Sequence, residues 1–238
     1  MSVADLYRNR GVNPLAVQLG KFPLELYVHP LFADANLVAY YRMEDANDSK
    51  GTLHLTNVDG SFSDANGKWG KGVGLNGSTA YLTCANAAFQ RSDGQPITVM
   101  CWMLPNRLGG QYQSIVINRT DGIYNWMLYM HTDGGELSFH GAAQNKSAYV
   151  PSTSTWTHVA ATVDASGNME LYANGANEQS VSGFQYHADS VNTLGIGGYV
   201  NTNPVDCFQG KIDDVAIFSR ALSAAEISSF YTWATMYA

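Results

Sequence analysis

From residue 37 onward the chain is divided into short apolar runs by turn-forming residues every 8–12 positions, and this rhythm most limits the folds open to it. Tyr124, Trp126, Leu128 and Met130 occur at every second position, the period of a strand whose successive side chains face opposite sides. The run ITVMCWML, residues 97–104, is apolar with little alternation, as expected of a central strand covered on both faces. Turn signals stand between the runs: Asn76-Gly77, Asp121-Gly122, Asp133-Gly134-Gly135, residues 164–167 and Asn174-Gly175. The first of these predicts a hairpin joining the strands near 73–75 and 80–84. About twelve to fourteen strands suit two packed antiparallel sheets better than one small barrel, so the expected class is all-β.

Residues 208–227, FQGKIDDVAIFSRALSAAEI, close this series. Ile212, Val215 and Ile217 make a strand, and Ser223-x-x-Glu226 has the form of a capping box opening a short helix. Asp213 and Asp214 interrupt the strand, although Asp is disfavoured in strands and seldom buried without a partner. Alternation predicts that one of the two points toward the core rim.

The 238 residues carry a formal net charge of −7, with 45% hydrophobic and 14% charged residues, the balance of a globular chain with a substantial core. The 13 Lys and Arg are scattered, which argues against nucleic acid, because phosphate binding needs clustered positive charge. No run of eighteen apolar residues is present, so no membrane span is expected. The first fifteen residues lack the apolar core of a signal peptide. Cys84, Cys101 and Cys207 are odd in number and leave room for one disulfide without implying a framework. Asn47, Asn76, Asn118 and Asn145 begin glycosylation sequons that read as chance in a surface rich in Asn and Ser.

Residues 1–36 are set apart as an N-terminal arm, with the main domain at 37–238. Ser2-x-x-Asp5 caps one expected helical turn, and Phe22, Leu24, Leu26 and Val28 alternate as a strand. Pro23 confines that strand to an edge or to its first residues. Two readings stand: an extra edge strand of the sandwich, or an assembly arm that adds to a neighbouring subunit.

Four stretches in order resemble one family. They are LVAYYRMED (37–45), GVGLNG (72–77) with Tyr81-Leu82, WTHVAATVD (156–164) followed by ELYANG (170–175), and the GKIDDVAIF strand with its ALS and EI (210–227). Over roughly residues 37–232 the chain resembles laminin-G-like jelly-roll domains of the concanavalin A-like lectin/glucanase superfamily. The resemblance implies a jelly-roll sandwich. It also implies a structural calcium at the rim, where Asp213 would face inward beside Val215 and Ile217. Glu44, Asp45 and Asp48, from the loop after the first strand, would complete the oxygen shell that calcium prefers. The alternative is that Asp213 accepts hydrogen bonds from backbone amides or Arg42, without metal.

A lectin-like domain needs aromatic faces for sugar C–H surfaces and polar groups for hydroxyls. Tyr124, Asn125, Trp126, Tyr149, Tyr186 and Tyr199 are the candidates, against the default that Tyr and Trp in strands pack. The paired carboxylates of retaining glucanases are absent: none of the six Glu has a second carboxylate two residues away on the same strand, and Glu170, the one candidate, stands alone. No Gly-x-Ser-x-Gly or His-Glu-x-x-His occurs, His158 reads as a strand residue with an ordinary hydrogen-bond partner, and Gly195, Gly197 and Gly198 are followed by no helix that would bind phosphate. The expectation is a non-enzymatic recognition module for carbohydrates or surfaces. By analogy it is displayed on a larger assembly such as a virion or another extracellular surface, attached through residues 1–36 and homo-oligomeric. The alternatives are a purely structural cementing protein and, less in keeping with the carboxylates, a glucan hydrolase.

Overall fold

The structure is a computed structural model that describes residues 29–120, 123–188, 193–199 and 206–236. The expected helical turn and strand before residue 29, and the Asp121-Gly122 turn, lie outside the described residues. The alternating runs form β1 (Leu37–Tyr41), β2 (Thr56–Val58), β3 (Ser61–Ser63), β4 (Gly72–Asn76), β5 (Tyr81–Ala85), β6 (Ile97–Pro105), β7 (Gln113–Thr120) and β8 (Ile123–Met130). They continue with β9 (Leu137–His140), β10 (Gln144–Lys146), β11 (Thr157–Val163), β12 (Met169–Ala173), β13 (Ala176–Val181), β14 (Thr193–Ile196) and β15 (Gln209–Phe218), before one helix, α1 (Ala224–Met236). The described helix is too short to cross a membrane.

Every pairing is antiparallel. One sheet runs β13-β12-β11-β6-β15-β4-β3 with β1 added to β15, and the other runs β10-β9-β8-β7-β14-β5-β2. This is the two-sheet jelly-roll sandwich. Between the sheets lie Val99, Cys101, Val159, Leu171 and Val215 from the first and Leu82, Val116, Trp126, Leu128 and Phe139 from the second. Burying each large apolar side chain here contributes about 1.5–3 kcal/mol. β6 is central, and its outward residues Met100 and Trp102 are covered by Ile227, Phe230 and Ala234 of α1. A strand buried on both faces cannot show a polar side, which explains its apolar sequence.

The capping box forms as expected: Oε2 of Glu226 accepts from the Ser223 amide at 2.8 Å, and Oγ of Ser223 accepts from the Glu226 amide at 3.3 Å. The helix it opens is longer than the sequence suggested, at 13 residues. Among the described residues Cys84, Cys101 and Cys207 form no disulfide.

Three sequence expectations are corrected. Asn76-Gly77 does not close a hairpin. β4 has both edges occupied by β15 and β3, so the chain turns the corner and β5 pairs in the opposite sheet. Oδ1 of Asn76 accepts the amides of Ser78, Thr79 and Ala80, and Gly77 takes φ +74.

The second correction concerns Asp213, which does not share a face with Val215 and Ile217. β15 carries a bulge between Asp213 and Ala216, with Asp214 at φ +48, so the period of two breaks there. Ile212, Val215 and Ile217 remain in the inter-sheet core, whereas Asp213 sits opposite Trp102 on the other face. Both carboxylates are buried as a result. The bulge falls where one edge of β15 changes partner, from β4 at 209–212 to β1 at 215–218.

The third concerns the arm. Residues 29–36 pack as part of the domain: Leu31 is buried in the layer under α1, and Asp34 Oδ2 accepts from Arg220 Nη2 and Nε at 2.6 and 2.8 Å.

Candidate functional site

The acidic rim comes first because the sequence singled it out. Asp213 Oδ2 accepts the amides of Lys68 and Trp69 at 2.8 and 3.2 Å, and its Oδ1 accepts the amide of Asp214 at 2.8 Å. Burial and the neighbouring Asp214 push its carboxyl well above the ordinary range, while the three amides pull the other way. Asp214 accepts the Tyr40 hydroxyl of β1. Asp48 is a loop organiser: its Oδ1 accepts the amides of Tyr40 and Lys50, and its Oδ2 accepts those of Gly51 and Leu53. Asp45 accepts from Asn47, and Glu44 from the amide of Lys71. Each carboxylate therefore has its own donors. Among the described residues no group of three or more His, Cys, Asp or Glu is placed to hold a metal. A cation here would meet the positive ends of amide dipoles, so this donor set does not fit the shared calcium. Hydrogen bonds join the first and last strands instead.

The second sheet presents a different surface. A cavity of about 220 Å³ opens on its outer face, lined by Tyr112, Tyr124, Tyr129, Arg119, His140, Gln144 and Asp206 among others. The strand period explains how these side chains meet. On β8, Trp126, Leu128 and Met130 face the core, so Met127 and Tyr129 face out. Between Asn118 and Arg119 the register with β8 shifts, pairing Asn118 with Trp126 but Arg119 with Tyr124. Asn125 is the extra residue, and it returns Tyr124 to the outer face beside Arg119.

Arg119 anchors the cavity wall. Its Nη1 lies 3.2 Å from Asp206 Oδ2, and its guanidinium carbon stands 4.2 Å from the centre of the Tyr199 ring, a cation–π contact. Burial raises the Asp206 carboxyl and Arg119 lowers it. Gln144 Nε2 donates to the Tyr129 hydroxyl at 2.5 Å, and burial pushes that phenol up to about 12. Burial, then His187 and Arg119, hold His140 below the usual imidazole range, so it is neutral near pH 7. The cavity thus offers aromatic faces and paired or neutral hydrogen-bonding groups, with no unmatched charge among its described lining side chains.

The six aromatic and amide candidates separate. Tyr124 lines this cavity, and Tyr199 supports it from beneath Arg119. Asn125 is buried, with its side chain clamped to both backbone groups of Arg91 and to the His187 carbonyl. Tyr186 is buried, and its hydroxyl donates to the Gln95 carbonyl. Tyr149 packs against the inter-sheet core, its hydroxyl accepting from Asn174 at 3.3 Å. Trp126 has no exposed surface, and its Nε1 donates to the Phe89 carbonyl, so it is a core residue rather than a ligand contact. Sequence reading missed Arg119, His140, Asp206, Tyr112, Tyr129 and Gln144. Reading the second face of β8 could have found Tyr129. Arg119 and Asp206 are 87 positions apart and leave no local signal.

A two-sheet jelly roll bearing an aromatic-lined cavity on one outer face defines a lectin-like domain by architecture. The laminin-G-type profile of the concanavalin A-like lectin/glucanases superfamily matches residues 76–228, and the chain belongs to that superfamily. No curated protein matches it. Solved structures share the fold. Domain 4 of AbnA, an extracellular arabinanase from Geobacillus stearothermophilus in complex with arabinotriose, has a TM-score of 0.66 at 21% identity, covering 82% of this chain and 98% of that one. The binding domain of Paraclostridial Mosquitocidal Protein 1 has a TM-score of 0.66 at 18% identity, with 82% and 52% covered. The binding domain of botulinum neurotoxin DC in complex with SialylT has 0.64 at 14%, with 85% and 52% covered. The chain therefore spans about half the length of these two toxin domains.

Proposed function

We propose that the chain is a non-enzymatic carbohydrate-binding module whose site is the cavity on the outer face of the second sheet. The observation that carries this reading is the meeting of Tyr112, Tyr124 and Tyr129 with Arg119, Asp206, His140 and Gln144 in one opening of about 220 Å³. Aromatic rings suit the C–H face of a sugar, and the polar groups suit its hydroxyls. With Arg119 matched to Asp206 and His140 neutral, the cavity favours an uncharged sugar over a uronate. The two toxin neighbours named as binding domains, and the arabinotriose named with domain 4 of the arabinanase, support the class. A catalytic role is disfavoured because retaining hydrolysis needs two carboxyl groups, and Asp206 is the one carboxylate among the cavity's described lining residues. Glu170 lies on β12 of the other sheet and accepts the Tyr172 hydroxyl.

Display on a virion or another extracellular surface, as a homo-oligomer held through the N-terminal segment, belongs to the same proposal. It is supported by the apolar alternation at 22–28 and by the gain in avidity that clustering gives weak sites. The test of the site is a glycan array followed by calorimetry. Neutral glycans should bind, and Tyr124→Ala and Arg119→Ala should each weaken binding about tenfold or more, as loss of a stacking face or a charged hydrogen-bond donor does. An array without hits, or unchanged binding by Tyr124→Ala, would overturn it.

A further inference from the structure

A second cavity, of about 200 Å³, opens beside the first and is lined by Gln90, Arg91, Ser92, Asp93, Asn125, Tyr186, His187 and Ala188. The two share a wall. Tyr124 faces the first cavity and His187 the second, and their rings pack at a tilt of 44° with centroids 4.4 Å apart. His140 continues this aromatic ridge, 5.0 Å from Tyr124 on the side of the first cavity. We infer that the two cavities are adjacent subsites of one groove, and that the module recognises a neutral oligosaccharide of two or more units laid across the Tyr124–His187 ridge. This inference rests on the carbohydrate reading of the first cavity and extends it.

Three observations carry it. The first is size. Each cavity falls short of the roughly 300 Å³ at which small-molecule sites begin, and the two together exceed it. The second is complementary chemistry. The first cavity is walled by three tyrosines and Met127, a surface for stacking a ring. The second is rimmed by Gln90, Ser92 and Asp93, groups for the hydroxyls of the next unit.

The third is rigidity. Asn125 Oδ1 accepts the Arg91 amide at 2.7 Å, while its Nδ2 donates to the carbonyls of Arg91 and His187 at 2.9 and 2.8 Å. The His187 amide donates to the Asn125 carbonyl at 3.0 Å, and Asp93 Oδ1 accepts the Tyr186 amide at 2.9 Å. Arg91, itself buried, spends its Nη1 on the carbonyls of Ala88 and Gln90. The guanidinium is thereby engaged in holding the floor, which favours an uncharged occupant over an anion. One bulge residue of β8 thus sets Tyr124 toward the first cavity and fixes the backbone of the second. A site held in this way loses little entropy on binding.

The experiment is a length series. Calorimetric titrations use glucose through cellotetraose, galactose through a galactotetraose, and arabinose through arabinotetraose, against the full chain and against Ala188→Trp. Ala188 is exposed on the rim of the second cavity, so the indole fills that space without entering the core. Ser92→Trp, at another exposed rim position, guards against a fault peculiar to one variant. In at least one series, affinity should rise about tenfold or more from mono- to trisaccharide, the effect of one or two added net hydrogen bonds. In both variants the trisaccharide should bind no tighter than the monosaccharide. If monosaccharide and trisaccharide bind equally to the full chain, or if both variants retain the gain with length, the second subsite is refuted and the first stands. If no sugar of any length binds, both readings fall.

Discussion

Asp213 and Asp214 occupy the position where the last strand exchanges one partner for another, and their chemistry follows from that position. An exchange of partners leaves amides without a ladder, and unpaired buried amides are costly. Asp213 supplies an acceptor to the amide of Asp214 at that point, and to the amides of Lys68 and Trp69 in the segment before β4. Asp213→Ala should therefore destabilise the domain by about 3 kcal/mol or more, because each orphaned donor costs about 1–3 kcal/mol. Equilibrium denaturation in urea measures this. In the same experiment, millimolar calcium and chelator should give the native protein the same midpoint. A rise with calcium would contradict the hydrogen-bonded account of the rim. That two aspartates in a strand required special partners was legible from residue type alone. Which face each took was not, because a single residue at φ +48 shifts the alternation.

α1 covers the outer face of the first sheet and buries His158 between Trp102, Phe230 and Tyr231. The expected hydrogen-bond partner is missing: neither ring nitrogen finds one among the described residues. Burial lowers its pKa to about 3, so the native state holds the ring neutral while the unfolded chain protonates near pH 6.5. The unfolded state then binds more protons between those limits. Stability from this residue is complete above about pH 6.5 and falls as pH drops toward 3, by at most about 1.4 kcal/mol per pH unit. His158→Leu should unfold with a shallower pH dependence over that window and be no less stable at pH 7, since it leaves no polar nitrogen unpaired. Parallel curves for the two proteins would show that the ring is charged in the native state. The helix start was visible in Ser223 and Glu226. Its extent and its role as a cover for one sheet face were not, because they depend on Met100, Trp102 and Ala216 brought together from two strands.

For the molecule as a whole, the boundary of the folded unit lies earlier than the sequence motifs place it. Leu31 fills the layer under α1, and Arg220 bridges Asp34 and Glu226, tying the segment before β1 to the helix start. Removing residues 1–36 should therefore lower the melting temperature relative to removing residues 1–28. Calorimetry of the two truncations tests this, and equal midpoints would place 29–36 outside the cooperative unit. The fold class was readable along the chain because alternation and turn residues act over a few positions, and a period of two allows few architectures. The order of strands was less so: Asn76-Gly77 has hairpin chemistry, yet it turns a corner because both edges of β4 are already taken. The cavity was the least legible feature. Tyr124 was among the sequence candidates, but its neighbours Arg119, His140 and Asp206 come from separate elements, and the bulge at Asn125 sets Tyr124 beside Arg119. Local periodicity thus determined that the chain builds two antiparallel layers with apolar interiors. Packing alone decided which polar and aromatic side chains share a surface, because that depends on register and on the few positions where register slips.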